Sequence, residues 1–580
     1  MSESNEKTTE SMELPIEESI VSEDIEASDV QDIPDTSDTS ESENQKTPAK
    51  KKSSSHSKAS EGVMRAASIL IISNFIASIL GFLRQIVITS AFGMSVESDS
   101  FYLAFSIPDM IYNVLVGGGL SSAFIPVFSA YLADNNEDEG YRMASTILNL
   151  VAIVSGLASL LGLIFAPQLV PFIGDFSGEN GELYFTLTVR LTRIMFFQSF
   201  FMCLVGICMG ILQSYKDFTA PSIGSVVYNM MIIIVGLILL KCGVGITGFS
   251  IGVVSGAVAH FAIQVFAIRK KNFKYHRIVD FENAGVTKFF HLFWPMLLGI
   301  SVSQINTIVN KYFGSGQGES IVTAMTNAIS LQQLPINMFG FSIAMSVFPT
   351  MVEHYTQGKL RLYKKDLSMA IRNIVFITLP STFGMIAVRE PLVRAMYLWG
   401  EFTEKDVKTL STLLIFYSLG ITAYCVRQAL LQGFYSIQVT TIPVTINIIV
   451  LLLNIVLSFL LVNLMGANGL GLAYSLAGVA SMCMLAFMLR TKVGKLRGKE
   501  IFASVVKCFI ACVIMYLVIL GMRALLEGAL HIPTERKIAQ LTELVILISM
   551  GVVAFIVSAF VLKMRELKTA LAVIMRKLGK

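Results

Sequence analysis

The chain has 580 residues, of which 54% are hydrophobic and 15% charged, with a mean hydropathy of +0.66. That composition excludes an ordinary soluble domain and describes an all-α polytopic membrane protein. The formal charge of +4 conceals an uneven division, because residues 1–44 hold fifteen Asp and Glu against one Lys and leave the remainder strongly basic.

Seven cysteines lie in or beside apolar segments without a CxxC pair, which reads as small buried hydrophobes and not as a disulfide or metal framework. The six histidines have no metal-site spacing. The absence of a P-loop, a dinucleotide fingerprint or a catalytic triad argues against an enzyme and against ATP-driven transport within this chain. No cofactor and no nucleic-acid partner are expected.

Residues 1–62 are rich in Ser, Thr, Asp and Glu and end in a Lys patch at Lys50, Lys51 and Lys52. They are expected to form a disordered cytoplasmic tail, because so little apolar surface cannot offset the entropy of ordering. A cleaved signal peptide is not expected. From Val63 onward fourteen apolar segments each reach the roughly 20 residues that a bilayer requires. Lys and Arg follow segments six, eight, twelve and fourteen, while the intervening loops are mostly short and neutral or acidic. This alternation places both termini in the cytoplasm.

Segment one, near 63–91, carries Ser78 and Arg84. A cation facing lipid costs roughly 2.5–3.5 kcal/mol, so Arg84 is expected to face a wet cavity or a partner. Asp99, at the start of segment two, is a ready partner across the turn; a plain ion pair is the structural alternative to a phosphate-binding Arg84. Segment two, near 100–132, contains Asn113, and Pro108, Gly117, Gly118, Gly119 and Pro126 favour a broken or bent helix there. Segment four carries Arg190 and Arg193 three residues apart, and segment six carries His260. Lys311, near the outer end of segment seven, and Arg190 are read as snorkelling cations. Segment eight, near 319–352, carries Ser330 and repeats the interruption with Pro335, Gly340 and Pro349. Interrupted helices at matching places of two halves point to a central moving site. Arg427 lies deep in segment ten and is the better cavity cation.

Gly248 to Arg269 and Gly469 to Arg490 are both 21-residue intervals, offset by 221, with Ala257-Val258-Ala259 matching Gly478-Val479-Ala480. Residues 63–270 and 271–491 therefore read as two six-helix lobes in parallel repeat. Residues 492–562 supply helices thirteen and fourteen, and 563–580 read as an amphipathic basic segment on the inner leaflet.

The stretches "LGFLRQIVITSAFG", "SDSFYLAFSIPDMI", "GISVSQINTIVNKYFGSG", "LPINMFGFSIAMSVFPTM" and "YSLGITAYCVRQALLQGFYS" occur in an order that resembles the MurJ (MviN) lipid II flippases of the MOP transporter superfamily. The resemblance implies two lobes around a cationic cavity, with segments thirteen and fourteen forming a groove for a polyprenyl tail. It implies flipping of undecaprenyl-diphosphate-linked disaccharide-pentapeptide to the outer leaflet of the bacterial cell membrane by alternating access. Coupling to membrane potential or a monovalent cation, and cell-wall synthesis or division proteins as partners, belong to the same expectation. Arg84 and Asp99 match the family, and Arg427 falls where a Lys is common. The chain departs from it in having Ser78, Tyr112, Asn113 and Ser330 where the family has Arg, and Gly117-Gly118-Gly119 where it has Glu-Gly-Ala. Arg84 and Arg427 are expected to clamp the headgroup, with Asp99, Ser78, Asn113 and Ser330 completing the site. The competing expectations are a flippase for another polyprenyl-diphosphate oligosaccharide, a MATE-like drug or cation antiporter, and a non-transporting scaffold.

Overall fold

A computed structural model describes residues 73, 75–116, 123–529 and 537–568. The acidic tail, Gly117, Gly118, Gly119 and most of the basic C-terminal segment lie outside the described residues. Among the described residues, twelve helices are long and apolar enough to cross a membrane by length and composition. The first is α1 (Phe75–Phe92). It is followed by α2 (Val96–Ala104), α3 (Ser106–Leu115), α4 (Ile125–Ala133), α5 (Glu137–Leu169), α6 (Gly181–Ser214), α7 (Thr219–Lys241) and α8 (Thr247–Arg269). The second half runs through α9 (Ala284–Ser315), α10 (Ile321–Pro335), α11 (Ser342–Thr356), α12 (Leu360–Ala387), α13 (Arg389–Tyr397), α14 (Glu404–Ser418), α15 (Ile421–Ser436), α16 (Thr441–Met465) and α17 (Ala467–Val493). The last two are α18 (Gly498–Ala529) and α19 (Lys537–Val561).

Of the fourteen apolar segments, the second is described as the short helices α2, α3 and α4, with a turn at Phe105 between the first two. Segment seven forms one continuous helix of 32 residues, α9, whose second half carries Ser303, Gln304, Asn306, Thr307, Asn310 and Lys311.

The repeat is visible in the packing. In the first lobe α5 packs on α6, α6 on α8 and α7 on α8; in the second, α12 packs on α15, α15 on α17 and α16 on α17. Small residues permit the closest of these approaches. A Cβ at Gly256 would lie 2.8 Å from the Tyr228 carbonyl oxygen, so α8 meets the backbone of α7 directly. Helix α9 crosses between lobes: its first turns pack on α4 and α5, and its later turns on α16 and α3. Helix α18 lies on α12, and α19 on α18 and α13.

Segment eight is interrupted as its Pro and Gly suggest. Helix α10 ends at Pro335 and gives way to a π-helical stretch, Ile336–Phe341, before α11 begins. Proline supplies no N–H to the regular ladder, and a π turn absorbs the mismatch. A Cβ at Gly340 would lie 2.8 Å from Cys425 Sγ and 3.1 Å from its Cα, so this glycine lets the irregular stretch approach α15. In segment two the chain turns at Phe105, three residues before Pro108, and the Pro108 carbonyl accepts a hydrogen bond from Ser199 Oγ at 2.7 Å. Cys242 and Cys483 are exposed and the other five cysteines buried, which corrects the reading of all seven as buried hydrophobes.

Candidate functional site

The hydrogen bonds joining α1 and α2 to the second lobe gather at one end of the molecule. Outermost, the Glu401 N–H donates to the Ser90 carbonyl at 2.9 Å. Beside it Asp99 accepts from the backbone N–H of Thr323 at 2.7 Å, from its hydroxyl at 2.5 Å, and from the Val322 N–H at 3.4 Å. The carboxylate thus satisfies amides that the first turn of α10 cannot satisfy itself. It caps a helix of the other lobe in trans. Along α1 and α10 follow Thr89 with Asn327, and then Ser330 donating to Gln85 Oε1 at 2.5 Å.

This arrangement changes the roles read from the sequence. Among the described residues no carboxylate lies within ion-pair distance of Arg84, so the expected Arg84–Asp99 pair does not form. Arg84 is half-buried on α1 with its guanidinium carbon 6.0 Å from the centroid of the Phe105 ring. Asp109 on α3 lies within electrostatic range of both Arg84 and Lys311, and its carboxylate accepts from Asn113 at 3.1 Å. Asn113 is thereby engaged with its own helix. Ser78 is exposed on α1, nearer its start than Arg84.

Lys311 does not snorkel. Its ammonium donates to the Tyr102 carbonyl at 2.8 Å and to Ser106 Oγ at 3.0 Å, bridging α9 to the turn between α2 and α3. The broken backbone of segment two supplies the acceptor that a regular helix would have consumed. Arg190 is exposed; Arg193, also exposed, donates to the Leu163 carbonyl at 3.2 Å. His260 is buried in α8, close enough to α7 that a Cβ on Gly224 would strike its ring.

In the second lobe, α9, α10, α15, α16 and α17 enclose a cavity of about 470 Å³. Lys311 and Arg427 line it together with Asn306, Gln333, Asn337 and Gln428, and its lining contains no acidic residue among the described ones. Arg427 donates to Ser481 Oγ at 3.0 Å and to Asn447 Oδ1 at 2.8 Å, so neutral side chains and not a carboxylate hold its guanidinium. Arg84 does not line this cavity. The two arginines singled out by the sequence therefore occupy separate surroundings.

On the opposite face of α15 lies an apolar groove of about 950 Å³. Thr422, Val426 and Leu430, spaced by four, face the groove, whereas Tyr424, Arg427 and Gln428 face the polar cavity. Arg490, Lys495, Arg497 and Lys499 rim one end of the groove. Its walls come from α12, α15, α17 and α18, so α18 contributes to it and α19 does not, unlike the pairing of segments thirteen and fourteen expected from the resemblance.

Sequence reading missed the polar ladder. Gln85 and Thr89 stand four apart on an otherwise apolar helix, and Asn327 and Ser330 three apart on its partner, a period that marks a shared face. Asp109 was visible as an acid within an apolar span, a costly placement that signals function.

With this geometry in hand, a family model described as lipid II flippase MurJ matches residues 88–538. The chain belongs to that family. The probable lipid II flippase MurJ of Buchnera aphidicola subsp. Baizongia pistaciae is 27% identical over 425 residues, covering 73% of this chain and 82% of its own. That of Rickettsia prowazekii is 26% identical over 510 residues, covering 86% and 98%. Among solved structures, lipid II flippase MurJ in an inward closed conformation superposes with a TM-score of 0.71 at 24% identity, covering 88% of this chain and 99% of that one. An inward-facing MATE family multidrug transporter of the MOP superfamily gives 0.61 at 14% identity, covering 74% and 99%. At these identities the likeness shows a common fold, and within it this MurJ family member combines an acid-free polar cavity with an apolar groove.

Proposed function

We propose that the chain carries lipid II from the inner to the outer leaflet by alternating access. The observation that carries this reading is the two-faced α15, with a cationic cavity free of carboxylates on one side and an apolar groove on the other. An anionic head too polar for hydrocarbon needs the first, and a long polyprenyl tail fits the second. A transporter of cationic drugs needs acidic groups at its cargo, and this cavity offers none among its described lining residues.

Lys and Arg crowd the ends of α8 and α17 and the start of α12, which sets those ends in the cytoplasm. On that orientation both termini are cytoplasmic, and the Asp99–Thr323 and Gln85–Ser330 contacts close the outer side. The cavity then loads from within. No ATP site enters the scheme. Outward movement of an anion is favoured by an inside-negative potential, at about 2.3 kcal/mol per charge per 100 mV, so the membrane potential drives the loaded step.

Conditional depletion in cells that depend on this copy tests the reading. Lipid II should accumulate on the cytoplasmic leaflet; accumulation of a different polyprenyl-diphosphate oligosaccharide would assign another cargo.

A further inference from the structure

Lys311 belongs to two structures at once. Its side chain lines the cavity of the second lobe, and its ammonium holds the Tyr102 carbonyl and Ser106 Oγ of the first. An ammonium has three hydrogens, and these two contacts occupy two of them. Both acceptors are neutral. An oxyanion adds ion–ion attraction that a carbonyl and a hydroxyl cannot offer the ammonium, so an anion placed beside Lys311 competes for it effectively.

The cavity is suited to such an anion. Arg427 faces it with a guanidinium held by Ser481 and Asn447 and not by a carboxylate. Amides of Asn306, Gln333, Asn337 and Gln428 surround the same space and supply neutral donors. At about 470 Å³ the cavity admits a diphosphate but not a disaccharide bearing a pentapeptide as well. Asp109, which partly balances Lys311, stands on α3 outside the cavity lining.

We propose that the space between Lys311 and Arg427 is a phosphoryl-binding site distinct from the surroundings of Arg84, and that filling it draws Lys311 away from Tyr102 and Ser106 and so loosens the outer closure. The inference rests on the flippase reading for the identity of its occupant, the diphosphate of the transported lipid. A bound anion shifts the gate because it interacts with Lys311 more strongly when the latch is open than when it is made.

The test uses the purified full chain with inorganic diphosphate as the probe, binding being followed by calorimetry. Lys311→Met and Arg427→Gln should each weaken binding by about tenfold or more, whereas Lys408→Gln, an exposed cation on α14, should leave it within about twofold. Lys311→Arg and Arg427→Lys keep the charges and should recover most of the binding, which separates a ligand role from misfolding. Spin labels at Ser177 and Lys405 report the outer ends of the two lobes. Diphosphate should lengthen their separation in the parent protein and not in Arg427→Gln. Binding indifferent to both charge-removing variants, or binding that leaves the separation unchanged, would overturn the proposal. In vesicles, undecaprenyl diphosphate should compete with inorganic diphosphate, and failure to compete would overturn the lipid as occupant in favour of a free anion. Labelled lipid II flipping is scored alongside: flipping without a diphosphate site rejects this inference alone, and a diphosphate site without flipping rejects the flippase reading alone.

Discussion

At the scale of residues, Asp99 shows how one side chain can hold a gate by satisfying another helix's backbone. Its contacts with Thr323 and Val322 leave α10 capped from the opposite lobe. Asp99→Asn removes the charge and turns one acceptor into a donor facing N–H groups, at a cost of about 1–3 kcal/mol to the closure. A single cysteine at Thr326, in a cysteine-free background, should then react several-fold faster with an impermeant reagent applied outside; an unchanged rate would contradict the capping role. Arg84 is a different case, since no carboxylate among the described residues lies within ion-pair distance of it. Arg84→Lys should retain part of the transport, because an ammonium keeps the charge but lacks the planar fork of donors. Full growth of cells depending on Arg84→Ala, at normal protein level, would rule out a role for this cation in transport. Arg84, Arg427 and Asp99 were all legible as costly charges within an apolar sequence. Their partners were not, because α1 and α10 are separated by more than two hundred residues and only the tertiary fold brings Gln85 to Ser330.

At the scale of elements, the irregular backbone of segment eight follows from the residues that build it. Pro335 ends α10, and Gly340 lets the π-helical stretch reach α15. Gly340→Ala would place a methyl group about as close to Cys425 as overpacked cores allow, costing about 1–3 kcal/mol. The purified variant should unfold at a lower temperature, and Cys425→Ala, which removes the nearest atom, should restore part of the loss. A thermal transition equal to the parent's would show that the contact relaxes freely. Helix α9 was harder to read. Its apolar content suggested an ordinary span, and Lys311 looked like a cation reaching for water, although the later turns are polar and line the cavity. What the sequence lacked was the direction of that side chain, set by the turn at Phe105 that leaves a carbonyl unpaired.

At the scale of the whole molecule, hydropathy and the loop charges gave the all-helical architecture and the two-lobed repeat, whose equivalent helices pack in equivalent pairs. The orientation predicts labelling from outside at cysteines replacing Ser177 and Glu319, and protection at Lys270 and Lys492, all exposed positions. The reverse pattern would invert the transport direction assigned here. What periodicity could not supply was the division of labour across α15, because cavity and groove are each assembled from helices distant in the chain. Movement of lipid II between leaflets is measured by reconstituting the full chain in sealed vesicles with headgroup-labelled lipid II and following the labelled fraction that reaches the opposite leaflet. Transfer should be ATP-independent, accelerated by a potential negative on the cytoplasmic face and strongly reduced by Arg84→Ala; transfer no faster than in protein-free vesicles would show that the chain is not a lipid II flippase.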